Sequence, residues 1–423
     1  MAHAADLAHR TGQVELTLLD RRGAPLADTL VTVAQVRHAF AFGNIAFDLV
    51  RMVGGPDPQA VTGVEGFGAD ATLDLERYAA LWLGLFDTAT LPFYWGRYEP
   101  VRGETDALRL HRTADWLAER GVRLKGHPLV WHTVQPDWLL GLPPDEVERL
   151  LRARVRDVVS GFAGRIDAWD AINEAVIMPV FANGENAITP LARQRGRIHM
   201  VRLAFEEARA ANPAATLVLN DFDLSSAYEC LIEGVLEAGV RVDAIGLQTH
   251  MHQGYRGEAA TLEVLDRFAR YGLPLQLTET SLVSGHLMPA EIVDLNDYRV
   301  PDWPTTPEGE ARQADELVRH YRTLVGHPAV QAITYWGLTD SGAWLGAPVG
   351  LVRRDGTPKP AYEALRRLVR DEWWLAPTEL RTDAQGRLRV RGFQGDYRVS
   401  SGGAEAPFVL GPDGAAASVT LGV

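Results

Sequence analysis

Cysteine is almost missing from this chain, since Cys230 stands alone among 423 residues. One thiol excludes an internal disulfide and any multi-cysteine metal centre, and it fits a reducing compartment without requiring one. A lone cysteine reads as a small buried apolar residue. Positive charge is short as well, with 42 Lys and Arg against 55 Asp and Glu and a formal net charge of −13. Neutralising phosphates takes clustered cations, so nucleic acid is excluded as a partner and an uncharged one is favoured. Long apolar runs are also missing. Residues 1–13 carry His and Asp where a secretion signal needs an unbroken apolar stretch, and no later run approaches a membrane span. The expectation is a chain with no membrane partner, cytoplasmic if the sequence is complete and secreted if a signal has been removed. Internal repeats and low-complexity linkers are absent too.

What is there is a large core. A composition 46% hydrophobic and 23% charged can bury one, and the length fits one large domain with a small appendage. Between Gln13 and Gln35 apolar positions alternate around Arg22-Gly23, which reads as a β-hairpin. From Phe40 to about Val369 short apolar runs alternate with amphipathic stretches. Candidate strands are Ala39–Ile45, Leu85–Leu91, Val122–Pro128, Ala168–Asn173, Leu217–Asn220, Ala244–Gln248, Leu275–Thr278 and Ala332–Trp336. Helical spacing separates them, as in Val147, Leu150, Leu151, Val155, Val158, Val159 and Phe162. Eight such units predict an α/β fold, a (β/α)8 barrel over residues 39–372. The Gly-rich tail, 373–423, alternates as strands do. With the hairpin, 13–38, it is expected to form one small discontinuous β-domain, because neither piece alone can bury a core. Its aromatics, Phe393, Tyr397 and Phe408, offer no sugar platform, so its expected role is structural.

Barrel active sites form at the C-terminal ends of the strands. Polar residues gather there: Asp170, Asn173 and Glu174 on the fourth strand, Gln248 and His250 on the sixth, Glu279 on the seventh. His127, Trp131 and His132 follow the third strand, while Trp336, Asp340 and Trp344 follow the eighth. Indoles stack on apolar sugar faces, and amides and imidazoles bond hydroxyls. Paired carboxylates are what glycosidic cleavage needs, one to protonate the leaving oxygen and one to attack or activate water. The rival for His127, His132, His250 and His252 is zinc, but no third ligand at diagnostic spacing appears. No metal or cofactor is expected, and the expected partner is a carbohydrate. Oligomeric state is not encoded in these patterns.

From Phe40 to Val369 the chain resembles glycoside hydrolase family 10, best known for endo-1,4-β-xylanases. The resemblance is carried by Gly126-His127-Pro128-Leu129-Val130-Trp131-His132, Trp169-Asp170-Ala171-Ile172-Asn173-Glu174, Asn220-Asp221, Gly246-Leu247-Gln248-Thr249-His250, Thr278-Glu279, Trp336-Gly337-Leu338-Thr339-Asp340 and Pro358-Lys359-Pro360-Ala361-Tyr362. It implies Glu174 as acid/base, Glu279 as nucleophile, and retention of configuration with carboxyls about 5 to 5.5 Å apart. Ionised Glu279 would keep Glu174 protonated until the glycosidic oxygen takes its proton. The resemblance further implies Asn173 on the sugar 2-hydroxyl, His250 backed by Asp170 behind the nucleophile, and His127, Trp131, Gln248, Trp336 and Trp344 along the glycone side. Asn220 is expected in support.

One segment departs from the family. Where it reads Glu-Asn, two residues, then Lys-Trp, and grips the sugars on the non-reducing side, this chain has Thr90-Leu91-Pro92-Phe93-Tyr94-Trp95. Only the Trp is kept. Leu91, Phe93 and Tyr94 could form an apolar wall, and two long segments, Phe47–Thr72 and Leu282–Pro307 with Tyr298 and Trp303, are expected at the mouth. The alternatives are the same chemistry on a plant glycoside or saponin, or a non-catalytic sugar-binding barrel. The second would predict a broken carboxylate pair, and both glutamates are present.

Overall fold

A computed structural model describes residues 7–56, 73–412, 414 and 416–422. After β1 (Thr11–Leu19) and β2 (Leu30–His38), eight parallel strands close into a barrel. They are β3 (Ala41–Ile45), β4 (Thr88–Pro92), β5 (Arg123–His127), β6 (Ala168–Asn173), β7 (Thr216–Asp221), β8 (Ala244–Met251), β9 (Leu275–Leu282) and β10 (Val330–Tyr335). Both faces of these strands are covered, which is why they read as continuous rather than alternating apolar runs. The tail supplies β11 (Thr378–Arg381), β12 (Arg387–Phe393), β13 (Gly395–Ser401), β14 (Ala404–Leu410) and β15 (Ala416–Thr420).

The outer helices follow their amphipathic pattern. Pro144–Phe162 starts with Pro in its first turn and Asp145 and Glu146 against the positive end of the helix dipole. It buries Val147, Leu151, Val155, Val158, Val159 and Phe162, each contributing about 1.5–3 kcal/mol on transfer from water. Cys230, by contrast, is exposed. The helix Ser226–Glu237 turns Tyr228, Leu231, Ile232 and Val235 inward, and position 230 falls on its opposite side.

The N-terminal strands do not form the expected hairpin. β1 pairs with β12 and β15, whereas β2 pairs with β11 and β13, in two separate sheets. The turn is real, with Asp20 Oδ1 accepting from the Arg22 and Ala24 amides at 2.8 Å. The chain then crosses to the other layer. Crossing lets Val14, Leu16 and Leu18 of β1 face Val31 and Val33 of β2 through a shared core with Leu388, Val390, Tyr397, Val399 and Phe408. Edge-to-edge pairing would leave both apolar faces on one side and uncovered.

This β-sandwich sits against the N-terminal end of the barrel. The Arg10 guanidinium donates to the carbonyls of Val325, His327 and Val330, where the helix Pro307–Gly326 ends and β10 begins. Arg37 reaches the Gly121 carbonyl and Arg123 those of Ala39 and Phe40. His38 is buried between Gln35 and the Val369 carbonyl, 2.9 Å from the latter. The opposite end is left for chemistry. Among the described residues, no helix is long and apolar enough to cross a membrane.

Candidate active site

Two irregularities in the barrel aim the site. The β6–β7 register shifts between Asp170 and Ile172, and the β8–β9 register shifts where Gln248 meets Glu279. Each adds one residue to a strand, so side chains that strict alternation would send to opposite faces both reach the interior. Asp170 and Asn173, three apart, both point inward, as do Thr278 and Glu279. Gly246 makes room for this, since a Cβ there would lie 2.6 Å from Asn220 Oδ1 and 2.9 Å from Thr278 Cγ2.

Glu279, 5% exposed, is held from three sides. Asn220 Nδ2 donates to its Oε1 at 3.0 Å, His250 Nε2 lies 3.1 Å from its Oε2, and His127 Nε2 lies 3.9 Å from Oε1. Asn220 also donates to Asn173 Oδ1 at 2.7 Å, and Asn173 Nδ2 donates to Glu174 Oε1 at 3.1 Å. The two carboxylates are thus tied through two amides. Trp131 Nε1 donates to Glu174 Oε2 at 2.8 Å, and Gln248 Nε2 donates to Asn173 Oδ1 at 3.0 Å. Glu174 adopts φ of +57°, a left-handed conformation costing about 1–3 kcal/mol. Its amide bond to the Asn220 carbonyl helps hold it there.

Burial first, then the charges of Glu279 and Asp221, push the Glu174 carboxyl up to about 8. The Trp131 hydrogen bond opposes them. The sequence reading credited Glu279 alone. Desolvation is the larger cause, because Glu174 sits among Trp131, Asn173 and Gln248 rather than in open water.

Asp170 does not stand behind His250. Its Oδ2 meets His127 Nδ1 at 2.8 Å and its Oδ1 meets Lys125 Nζ at 2.7 Å. β6 neighbours β5 and is separated from β8 by β7, so Asp170 reaches the third-strand histidine. Burial raises the Asp170 carboxyl, but Lys125 and His127 outweigh it and hold it below its ordinary value. His250 Nδ1 instead meets the Ser281 hydroxyl at 2.9 Å. Lys125 and Ser281 were missed in the sequence. Each lies two positions from a recognised residue, on the same strand face, and that period-2 relation was the available signal.

The aromatic residues divide. Trp131 and Trp344 keep part of their faces open, Trp344 lying 5.2 Å from both His250 and His252. Trp336 is 5% exposed and packs on His127 and Phe47. Leu91 and Phe93 form no wall of the site. They face the helical layer, Phe93 packing on Phe162 and Trp169, and only Tyr94 looks inward. Trp303 is buried in a small core with Val283, Met288, Ala347 and Val349, and Tyr298 packs on it at 4.8 Å. The segment 282–307 is therefore a packed buttress rather than a free loop. Of the other long segment, Phe47–Gly54 is a helix and 57–72 lies outside the described residues. His132 packs against Phe181 at 4.3 Å, and among the described residues no three His, Cys, Asp or Glu converge as a metal site.

One carboxyl that keeps its proton near neutrality and a second fixed by amide and imidazole donors can cleave an acetal, the first protonating the leaving oxygen while the second attacks. At the mouth of such a barrel, beside open indole faces, that chemistry defines a glycosidase. The profile of glycosyl hydrolase family 10 matches residues 90–368. Endo-1,4-beta-xylanase B of Thermotoga neapolitana is 29% identical over 294 residues, 66% of this chain and 78% of the relative. The anti-sigma-I factor RsgI6 of Acetivibrio thermocellus is 26% identical over 404 residues, 92% of this chain but 45% of the relative. Among solved structures, xylanase 10B from Thermotoga petrophila in complex with xylobiose superposes with a TM-score of 0.61 at 23% identity, covering 78% of this chain and 94% of that one. The chain belongs to glycosyl hydrolase family 10.

Proposed function

We propose that the protein hydrolyses β-1,4-xylosidic bonds with retention of configuration, Glu279 acting as nucleophile and Glu174 as acid/base. The observation that carries this reading is the Glu279–Asn220–Asn173–Glu174 chain, which places an ionisable pair side by side with one member protonated near neutral pH. In the first step Glu279 attacks the anomeric carbon and the C–O bond breaks as Glu174 gives its proton to the departing oxygen. Once the ester forms, one of the charges that raised Glu174 is gone. Glu174, now a carboxylate, removes a proton from water, which attacks the same carbon and frees Glu279. Asn173, held by Asn220 and Gln248, would bond the 2-hydroxyl as charge develops. The xylanase names of the relatives support xylose as the sugar.

Two measurements test it. Proton NMR of early products from xylotetraose should show the β-anomer first, and a 2-deoxy-2-fluoro-xylosyl fluoride should leave a covalent adduct on the peptide carrying Glu279. An α-anomer appearing first, or full hydrolysis by Glu279→Ala, would refute the assignment.

A further inference from the structure

Beyond the irregularity at Gln248 and Glu279 the β8–β9 register runs on evenly, with Thr249 opposite Thr280 and His250 opposite Ser281. The Thr249 and Thr280 hydroxyls, 2.9 Å apart, fasten that alignment. Glu279 and Ser281, two positions apart, face the same side of β9, and the His250 ring lies between them. Its Nε2 is 3.1 Å from Glu279 Oε2 and its Nδ1 is 2.9 Å from Ser281 Oγ. Ser281 is 1% exposed.

Counting protons decides the form of this ring. An ionised carboxylate only accepts, so Nε2 carries a hydrogen. Were Nδ1 protonated as well, Ser281 Oγ would have to accept, and its own hydrogen would be left in the interior with nothing to receive it, since His250 is its one side-chain partner among the described residues. With Nδ1 bare, the hydroxyl donates to it and every hydrogen has an acceptor. A buried donor left unmade costs about 1–3 kcal/mol. An imidazolium would gain attraction to Glu279 but lose hydration, two effects that offset one another. The other imidazole facing the nucleophile is set the opposite way. His127 Nδ1 meets the Asp170 carboxylate at 2.8 Å, so its hydrogen sits on Nδ1, and a charge there has a counter-charge that Ser281 cannot give His250. Other neighbours of His250 bring no charge: burial, then His250, push His252 down to about 3, and the rings of Trp336 and Trp344 do not titrate.

We infer that Ser281 is a positioning residue that holds His250 as a neutral imidazole with its hydrogen on Nε2, so that the nucleophile is oriented by a donor without charge. The inference rests on the proposed role of Glu279. An ester oxygen still accepts from that N–H, so no proton has to move at His250 between the two steps. An imidazolium there would instead lose its counter-charge when the glycosyl ester forms.

NMR of protein labelled with 15N at histidine reads the ring directly, the His250 signals being identified by their loss in His250→Gln. At about pH 7, Nδ1 is expected as the bare, pyridine-type nitrogen and Nε2 as the protonated one. A ring protonated on both nitrogens, or on Nδ1 alone, would overturn the inference. Ser281→Ala removes the donor that fixes the tautomer, and kcat on xylotetraose is expected to fall about ten- to a hundredfold with KM within about twofold. Ser281→Thr keeps the hydroxyl and should retain both kcat and the ring pattern. A folded Ala variant with unaltered kcat, or a folded Thr variant as slow as the Ala one, would overturn the role of Ser281. The spectrum of the unaltered protein stands whether or not the variants fold. It also needs no turnover, so its failure is distinct from that of the nucleophile assignment, which shows as hydrolysis by Glu279→Ala.

Discussion

At the N-terminal end of the barrel, Arg10 and His38 reach backbone carbonyls, Arg10 those of Val325, His327 and Val330 and His38 that of Val369. At the C-terminal end polar side chains end on one another, through Lys125, Asp170, His127, Glu279, Asn220, Asn173 and Glu174. A carbonyl bonded by an arginine is satisfied at any ordinary pH, so the first arrangement only holds the β-sandwich in place. A chain of carboxylates and imidazoles shares few protons among many acceptors, and that is what allows a proton to move. The lysines sharpen the contrast. The sequence has two, Lys125 and Lys359, and both are buried at the site end, each 2.7 Å from an aspartate, Asp170 or Asp340. Lys359 also reaches the Ser284 hydroxyl and so staples the segments after β9 and β10.

Breaking the site end should stop chemistry, whether or not it also disturbs the fold. Glu174→Gln is expected to lower kcat on unactivated xylosides by about 10²- to 10⁴-fold, with a much smaller loss on nitrophenyl substrates. In the unaltered protein kcat/KM should fall as pH rises through about 8, because Glu174 then loses the proton it must donate. The Gln variant should lack that alkaline limb in a pH profile. Asp170→Asn leaves the Lys125 ammonium buried without its counter-charge, and urea titration should show a loss of about 3–5 kcal/mol together with a reduced kcat.

Breaking the other end should cost stability and leave chemistry alone. Arg10→Ala strips three carbonyls of a donor and is expected to cost about 1–3 kcal/mol in the same titration while kcat/KM stays within twofold. An Arg10→Ala protein that lost activity without losing stability would erase the distinction between the two ends. The smallest effect concerns the lysines: mild acylation of the folded protein should leave Lys125 and Lys359 unmodified by peptide mapping, and both should react once urea unfolds the chain.

Much of this was legible in the linear chain. The eight apolar runs reappear as the eight barrel strands, shifted by a few residues at their ends, because each is buried on both faces and flanked by amphipathic helices. Glu174, Glu279, Asn173 and Asn220 do meet at one mouth, since strands of a parallel barrel all end on the same side. Three readings failed for one shared reason. The partner of Asp170, the inward set on β4 and the pairing of β1 with β2 each depend on register or on neighbours far along the chain. A shift of one residue exchanges the two faces of a strand, and nothing in the local alternation marks where a bulge will fall.

By itself, then, the sequence determined the local periods, the strand and helix identities and the residue types at the strand ends, because those follow from side chains within a few positions of each other. Only the tertiary structure decided that Asp170 serves His127 and that Ser281 backs His250. Those outcomes rest on contacts between residues 31 to more than 40 positions apart, whose distances are set by barrel closure and by two extra strand residues rather than by any local pattern.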